Sequence, residues 1–215
     1  MLRLMGVRKT YVEAGRPREV LRGVDATIRM GDAVGILGRN GSGKSTLLRI
    51  MSGREQPTAG RVERRMSVSW PLGYDGGVHD ALTGADNARF LARVYGRPPG
   101  WVVDFVTEFS ELGHEMHEPV RTYSAGMKAR LSFALSLAVD FDCYLLDEVT
   151  SAGDARFNAK CRQALLARRR RSAVILVSHH EETVRTFCRH AAVLKRGRLT
   201  FYEDMDEAFA RYAEF

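Results

Sequence analysis

Long apolar runs are missing from this 215-residue sequence. The longest smooth one, Leu131 to Val139, has nine residues, against the roughly 20 that a membrane-spanning helix requires. The N-terminus, MLRLMGVRKTY, carries charges at every third or fourth position and lacks the apolar stretch of a secretion signal. Cysteine is scarce. Cys143, Cys161 and Cys188 are widely spaced with no CxxC among them, which excludes a disulfide framework and a zinc site and leaves buried free thiols in a reducing compartment. There is no internal repeat and no low-complexity tract. Glutamine occurs only as Gln56 and Gln163, and lysine supplies five of the 33 basic residues, the rest being arginine.

What is present is ordinary globular material, 45% hydrophobic and 27% charged, enough for one large domain or one domain with a lobe. The net charge of +7 suits phosphates, nucleic acid or an anionic membrane surface, and equally a genome bias toward arginine, so charge alone does not decide the partner.

The first thirty residues read as two alternating strands joined by the turn-rich EAGRPRE. A short apolar strand, Ala33 to Leu37, runs into a glycine-rich loop and then a helix ended by Gly53, after which RVERRMSVSW reads as one strand. From Pro71 to Tyr123 the character changes. The irregular PLGYDGGVHDALTG precedes a helix over about 85–95, introduced by the capping-box spacing Thr83-x-x-Asp86. A second helix, WVVDFVTEFSELG, ends at Gly113. After Ser124 the chain alternates helix and strand as parallel βα units require: FDCYLLD, a helix over about 155–171, AVILVSH, a helix and HAAVLKRG. The arginine run 168–171 reads as a solvated, dipole-compensating helix end or a basic patch.

Gly38-Arg39-Asn40-Gly41-Ser42-Gly43-Lys44-Ser45-Thr46 matches the P-loop pattern GxxxxGK[ST] between a strand and a helix. Glycines let successive N–H groups converge as an anion nest, and the helix N-terminus adds partial positive charge. Lys44 supplies a point charge to the β- and γ-phosphates of a nucleoside triphosphate, and Ser45 offers a magnesium ligand. Cys143 to Glu148 is an apolar strand ending in two acids: Asp147 can hold hydrated magnesium and Glu148 can polarise an attacking water.

Further segments, in order, resemble the ATP-binding-cassette (ABC) ATPases. Ser124-Ala125-Gly126-Met127, preceded by Thr122-Tyr123, is similar to their LSGGQ signature. Ser151 to Asp154 resembles the D-loop, His179 stands where the switch histidine does, and Tyr11 stands where an aromatic stacks on adenine. Singly, these segments have structural readings: a packed tyrosine, an N-cap serine, a structural histidine. Together they span nearly the whole chain in the family's order.

The resemblance implies an α/β P-loop NTPase with a RecA-like parallel-sheet core, an antiparallel β subdomain and an inserted helical lobe over about 80–138. It implies a single ABC ATPase domain over residues 1–215 with no C-terminal carbohydrate-binding domain. It implies ATP and Mg²⁺ as ligands. It also implies a homodimer in the ATP-bound state, in which Ser124 of one copy faces the γ-phosphate held by the other. One departure is clear. The family's glutamine after the strand following the P-loop helix is absent, and Ser69, Trp70, Asp75 and His79 lie in the replacing segment.

Four stretches are similar to the ATP-binding subunits of capsular-polysaccharide exporters: SWPLG (69–73), LTGADN (82–87), YSAGMKARL (123–131) and DEVTSAGDARF (147–157). That branch implies two copies of a transmembrane permease as partners and lipid-linked polysaccharide as cargo. It also implies a peripheral location at the cytoplasmic face of a bacterial inner membrane, and no nucleic acid. An ABC subunit for teichoic acid, lipid or drug, and a soluble nucleic-acid-linked ATPase, stay open as alternatives.

Overall fold

In the computed structural model, which describes residues 1–72, 78–147 and 154–214, the chain opens as a long β-hairpin. β1 (Leu2–Glu13) and β2 (Arg16–Ile28) pair antiparallel from Leu2↔Ile28 to Glu13↔Arg16. The connection expected over EAGRPRE contracts to Ala14 and Gly15, with φ 49° and 74°. Two positive-φ residues form the mirror-image turn whose twist matches that of paired strands, so residues 16–19 remain in the ladder. Leu2, Leu4, Val7, Leu21, Val24 and Ile28 are buried along one face of this ribbon.

The stretch expected as one strand, RVERRMSVSW, divides between two sheets. β4 (Ala59–Arg64) pairs antiparallel with β1, giving the order β2-β1-β4. β5 (Val68–Leu72) lies at the edge of a different sheet. Side chains at the junction account for the break. The Arg64 guanidinium donates to the carbonyls of Ile50 (through Nη2) and Met51 (through Nε, 2.9 Å), tying β4 to the end of α1 (Lys44–Ser52). The Asp142 carboxylate accepts from Ser67 N and Oγ at 2.8 and 3.0 Å, starting β5 beside the next strand of its sheet.

That second sheet has six strands among the described residues, in the order β5-β6-β7-β3-β8-β9. Its members are β3 (Ala33–Leu37), β6 (Cys143–Asp147), β7 (Ala173–Val177), β8 (His190–Lys195) and β9 (Arg198–Tyr202), with β5 at one edge. β6, β7, β3 and β8 run parallel, and β9 returns antiparallel to β8. AVGIL and AVILV are buried at every position, as strands covered on both faces must be. One apolar core joins Leu4 and Val24 of the antiparallel sheet, Leu47, Leu48 and Ile50 of α1, and Ile36, Leu145 and Ile175 of the parallel sheet. The end of α5 (Ala155–Arg169), with α6 (Glu181–Phe187) and α7 (Met205–Ala213), completes this part; β9 and α7 extend past the last strand expected. The arginine run is not merely solvated. Arg168 Nη1 donates to the Tyr144 hydroxyl at 2.6 Å and Arg169 Nη1 to the Thr186 carbonyl at 2.9 Å.

The chain divides into two compact units: the described residues of 1–71, 141–148 and 165–215, and those of 72–140 and 149–164. The second is helical, built from α2 (Gly84–Val94), α3 (Pro99–Ser110) and α4 (Ala125–Ala138) with two short 3₁₀ turns, and includes the start of α5. The expected capping box is present: Thr83 Oγ1 accepts the Asp86 N–H at 3.0 Å. Ala85, Ala88 and Ala92 of α2 pack with Val102 and Val106 of α3 and Leu131, Ala134 and Leu135 of α4. α3 stops three residues before the expected Gly113. Glu111 turns left-handed (φ 58°), its carboxylate 2.9 Å from Lys160 Nζ and 3.6 Å from Arg130 Nη1.

Candidate nucleotide site

Parallel register brings three strand ends to one edge. Asp147 of β6 pairs with Val177 of β7, and Val177 pairs with Ile36 of β3. The loop after β3, the Asp147 carboxylate and the Ser178-His179 segment therefore leave the sheet on the same side, at the carboxyl ends where α/β sheets bind ligands.

The P-loop residues 38–46 are built around close backbone approach. Gly43 stands at φ 104° immediately before α1, a conformation that L side chains rarely adopt, and a Cβ there would meet Val20 Cγ1 at 2.9 Å. A Cβ on Gly38 would meet Ser42 Oγ at 2.6 Å and the Leu194 carbonyl at 2.9 Å. α1 has no side-chain cap, so its first N–H groups face the loop, and Ser42 Oγ is buried without a hydrogen-bond partner among the described residues. Lys44 is buried, and its ammonium donates to the carbonyls of Gly38 (2.6 Å) and Arg39 (3.0 Å). A cation folded over its own loop, an uncapped helix start and an orphaned hydroxyl together fit an anion of phosphate size.

Ser45 Oγ lies 3.5 Å from Asp147 Oδ2, across 102 residues of sequence. A hydroxyl beside a carboxylate is a hard-oxygen pair suited to magnesium. His179 follows β7 and is exposed, its ring 3.9 Å from that of His180; Ser178 Oγ accepts the His180 N–H at 3.0 Å. Glu148 and Ser151, together with Asp75, lie outside the described residues.

Ser124 is the N-cap of α4, its Oγ accepting the Met127 N–H at 3.2 Å, so Ala125, Gly126 and Met127 form the first helical turn. Asp154 opens α5 in the same unit, accepting the Phe157 N–H at 2.8 Å. That bond, which is the largest influence, together with the Arg130 charge outweighs the cost of burial and holds its carboxyl below the usual range.

Tyr11 is half-buried in β1, with surroundings that sequence reasoning missed. Its hydroxyl donates to Glu55 Oε1 (2.7 Å) and accepts from Arg49 Nη2 (3.1 Å). Glu55 and Tyr11 are 44 residues apart, and no local pattern links them. Of the residues replacing the missing glutamine, Ser69 is committed to structure: it is fully buried, accepts the Leu145 N–H at 2.9 Å and donates to the Trp70 carbonyl at 2.7 Å. Trp70 packs edge-on against Phe141 at 5.3 Å. His79 is exposed and accepts the Ala81 N–H at 3.2 Å through Nδ1.

Comparison with known proteins gives the same architecture. A dimeric ATP-binding cassette, MJ0796, in a post-hydrolysis state with ADP and Pi, superposes with a TM-score of 0.80 over 93% of this chain and 96% of that one at 23% identity, a likeness of fold. The ATP-binding protein BexA of Haemophilus influenzae is 49% identical over 214 residues, covering 100% of this chain and 99% of its own. The capsule polysaccharide export ATP-binding protein CtrD of Neisseria meningitidis is 48% identical over 212 residues, covering 99% and 98%. The ABC transporter family matches residues 21–151, which include the phosphate loop, the Ser124 cap and the Asp147 strand end. The chain belongs to the ABC transporter family.

Proposed function

We propose that this protein is the ATP-hydrolysing subunit of an exporter that moves capsular polysaccharide through a separate transmembrane permease, working at the cytoplasmic face of a bacterial inner membrane. The observation that carries the reading is the phosphate loop beside Asp147 at one sheet edge, in a chain 48% identical to a capsule polysaccharide export ATP-binding protein over nearly all of both chains. Among the described residues no helix is long and apolar enough to cross a membrane.

The backbone of residues 38–46 receives the phosphates of ATP, and Lys44 exchanges its carbonyl partners for the β- and γ-phosphates. Ser45 and Asp147 would hold magnesium, whose charge, when bound, offsets that of the phosphate oxygens. Glu148 orients and deprotonates the attacking water, and His179 contacts the γ-phosphate. Tyr11 stacks on adenine. Ser124 and the N-terminus of α4 serve the γ-phosphate of a second copy, and Ser151 and Asp154 carry the D-loop. Two copies thus close on two ATP molecules, and hydrolysis removes the charge that drew them together.

The test is a Lys44→Ala replacement in the source bacterium, with surface and intracellular polysaccharide separated by fractionation. Loss of surface polymer with accumulation inside is expected. Unchanged surface polymer would leave the ABC fold standing and transfer the cargo to another class, such as teichoic acid, lipid or drug.

A further inference from the structure

Tyr11 sits in a hydrogen-bonded cage. A phenol oxygen has one proton to give and two lone pairs to fill. Here the proton goes to Glu55 Oε1 at 2.7 Å, one lone pair takes the Arg49 Nη2 donor at 3.1 Å, and Thr46 Oγ1 lies 3.4 Å away. Glu55 is itself clamped, by Lys9 Nζ at 2.9 Å on Oε1 and Arg49 Nε at 2.9 Å on Oε2. Burial pushes its carboxyl up, but hydrogen bonds from Lys9, Tyr11 and Arg49 outweigh it and bring the pKa down to about 2. Glu55 is thus a fixed anion at neutral pH.

Two consequences follow from this geometry. Lys9 Nζ stands 5.1 Å from the Tyr11 ring centroid and also donates to the Gln56 carbonyl at 2.9 Å. An ammonium over one face occupies that face, so a flat ligand can stack only on the other. Arg49 Nη2 also reaches Thr46 Oγ1 at 3.2 Å, and Thr46 is the last residue of the phosphate loop. Ring and phosphate loop are therefore bridged by one guanidinium.

We infer that Glu55 is a positioning residue for nucleotide binding: with Arg49 and Lys9 it sets the orientation of the Tyr11 ring and its distance from the phosphate loop, so that a purine base stacks on the face opposite Lys9. This deepens the proposed function and rests on the assignment of Tyr11 as the base platform.

The probes are ATP, which offers base and phosphates, and inorganic tripolyphosphate, which offers phosphates alone, their affinities for the purified full chain measured by calorimetry. Glu55→Gln keeps the shape but loses the anion. It is expected to weaken ATP about tenfold, within what the loss of one base–aromatic stack removes, while tripolyphosphate affinity stays within about twofold. Tyr11→Phe, which keeps the ring and removes its anchor, should match it, and the double variant should lose no more than either single one. Lys44→Ala should weaken both probes alike. An equal loss of both ligands in Glu55→Gln, or no loss of ATP, overturns the inference while ATP binding by the parent protein stands. A parent protein that binds no ATP overturns the functional reading and this inference with it.

Discussion

Arg130 and Asp154 are joined by a charge-assisted hydrogen bond of 2.7 Å, linking the helix that begins at the Ser124 cap to the start of α5. The same guanidinium lies 4.8 Å from the Phe157 ring centroid and 3.6 Å from Glu111, which also pairs with Lys160. Lys160 donates to the Phe109 carbonyl at 2.9 Å, so the end of α3 is tied into the same network. Four charges thus join α3, α4 and the start of α5 within one unit.

Groups in one network lose their energies together rather than separately. Arg130→Met and Asp154→Ala should each lower the melting temperature. The double variant should melt close to the worse of the two, which a thermal denaturation series would read directly. Because the folded-state carboxyl of Asp154 is below its ordinary value, its contribution is present above the unfolded pKa and is lost as pH falls through the folded one. The melting difference between parent and Asp154→Asn should therefore shrink in acid.

Glu55 gives a second pH dependence of the same sign. Its pKa moves from 4.5 to about 2 on folding, so the stability it contributes is complete above about 4.5 and drains away between there and about 2. Urea midpoints of parent and Glu55→Gln should differ at pH 7 and converge toward pH 2.

Glu148→Gln should retain ATP binding while hydrolysis falls by roughly 10²–10⁴, the span of general-base help. An ATP-dependent dimer should then accumulate in gel filtration. Ser124→Arg should bind ATP as a monomer and neither dimerise nor hydrolyse, because a bulky cation replaces the helix cap.

Removing the Ser69 hydroxyl strands the buried Leu145 N–H, at a cost of about 1–3 kcal/mol. Ser69→Ala should lower the melting temperature by several degrees and leave ATP affinity in place, separating a structural role for Ser69 from metal coordination.

All three thiols are buried, and desolvation pushes each up to about 12. Iodoacetamide at pH 8 should leave the native protein nearly unmodified and alkylate three cysteines in denaturant, as counted by intact mass.

The glycine-rich loop was legible because it is one continuous segment: the strand, the GRNGSGKST string and the helix are neighbours in sequence, and glycine spacing alone reports the backbone the loop needs. Asp147 was legible for a related reason, as the polar end of an apolar strand. The helix starts at Thr83 and Ser124 were visible through their caps. The division of 59–72 between two sheets was not, since both halves alternate alike and only the partners of Arg64 and Ser67 decide which sheet receives each half.

From its sequence alone, the protein was committed to a glycine-rich strand-to-helix loop, an acidic strand end and a parallel βα core, because each depends on local backbone geometry and periodicity. The sheet order that sets Asp147 3.5 Å from Ser45, the cage of Lys9, Arg49 and Glu55 around Tyr11, and the tie between Arg130 and Asp154 were decided only by tertiary structure. The bonds Arg130–Asp154, Tyr11–Glu55 and Ser45–Asp147 join residues 24, 44 and 102 positions apart, through side chains whose partners are chosen by packing and not by spacing.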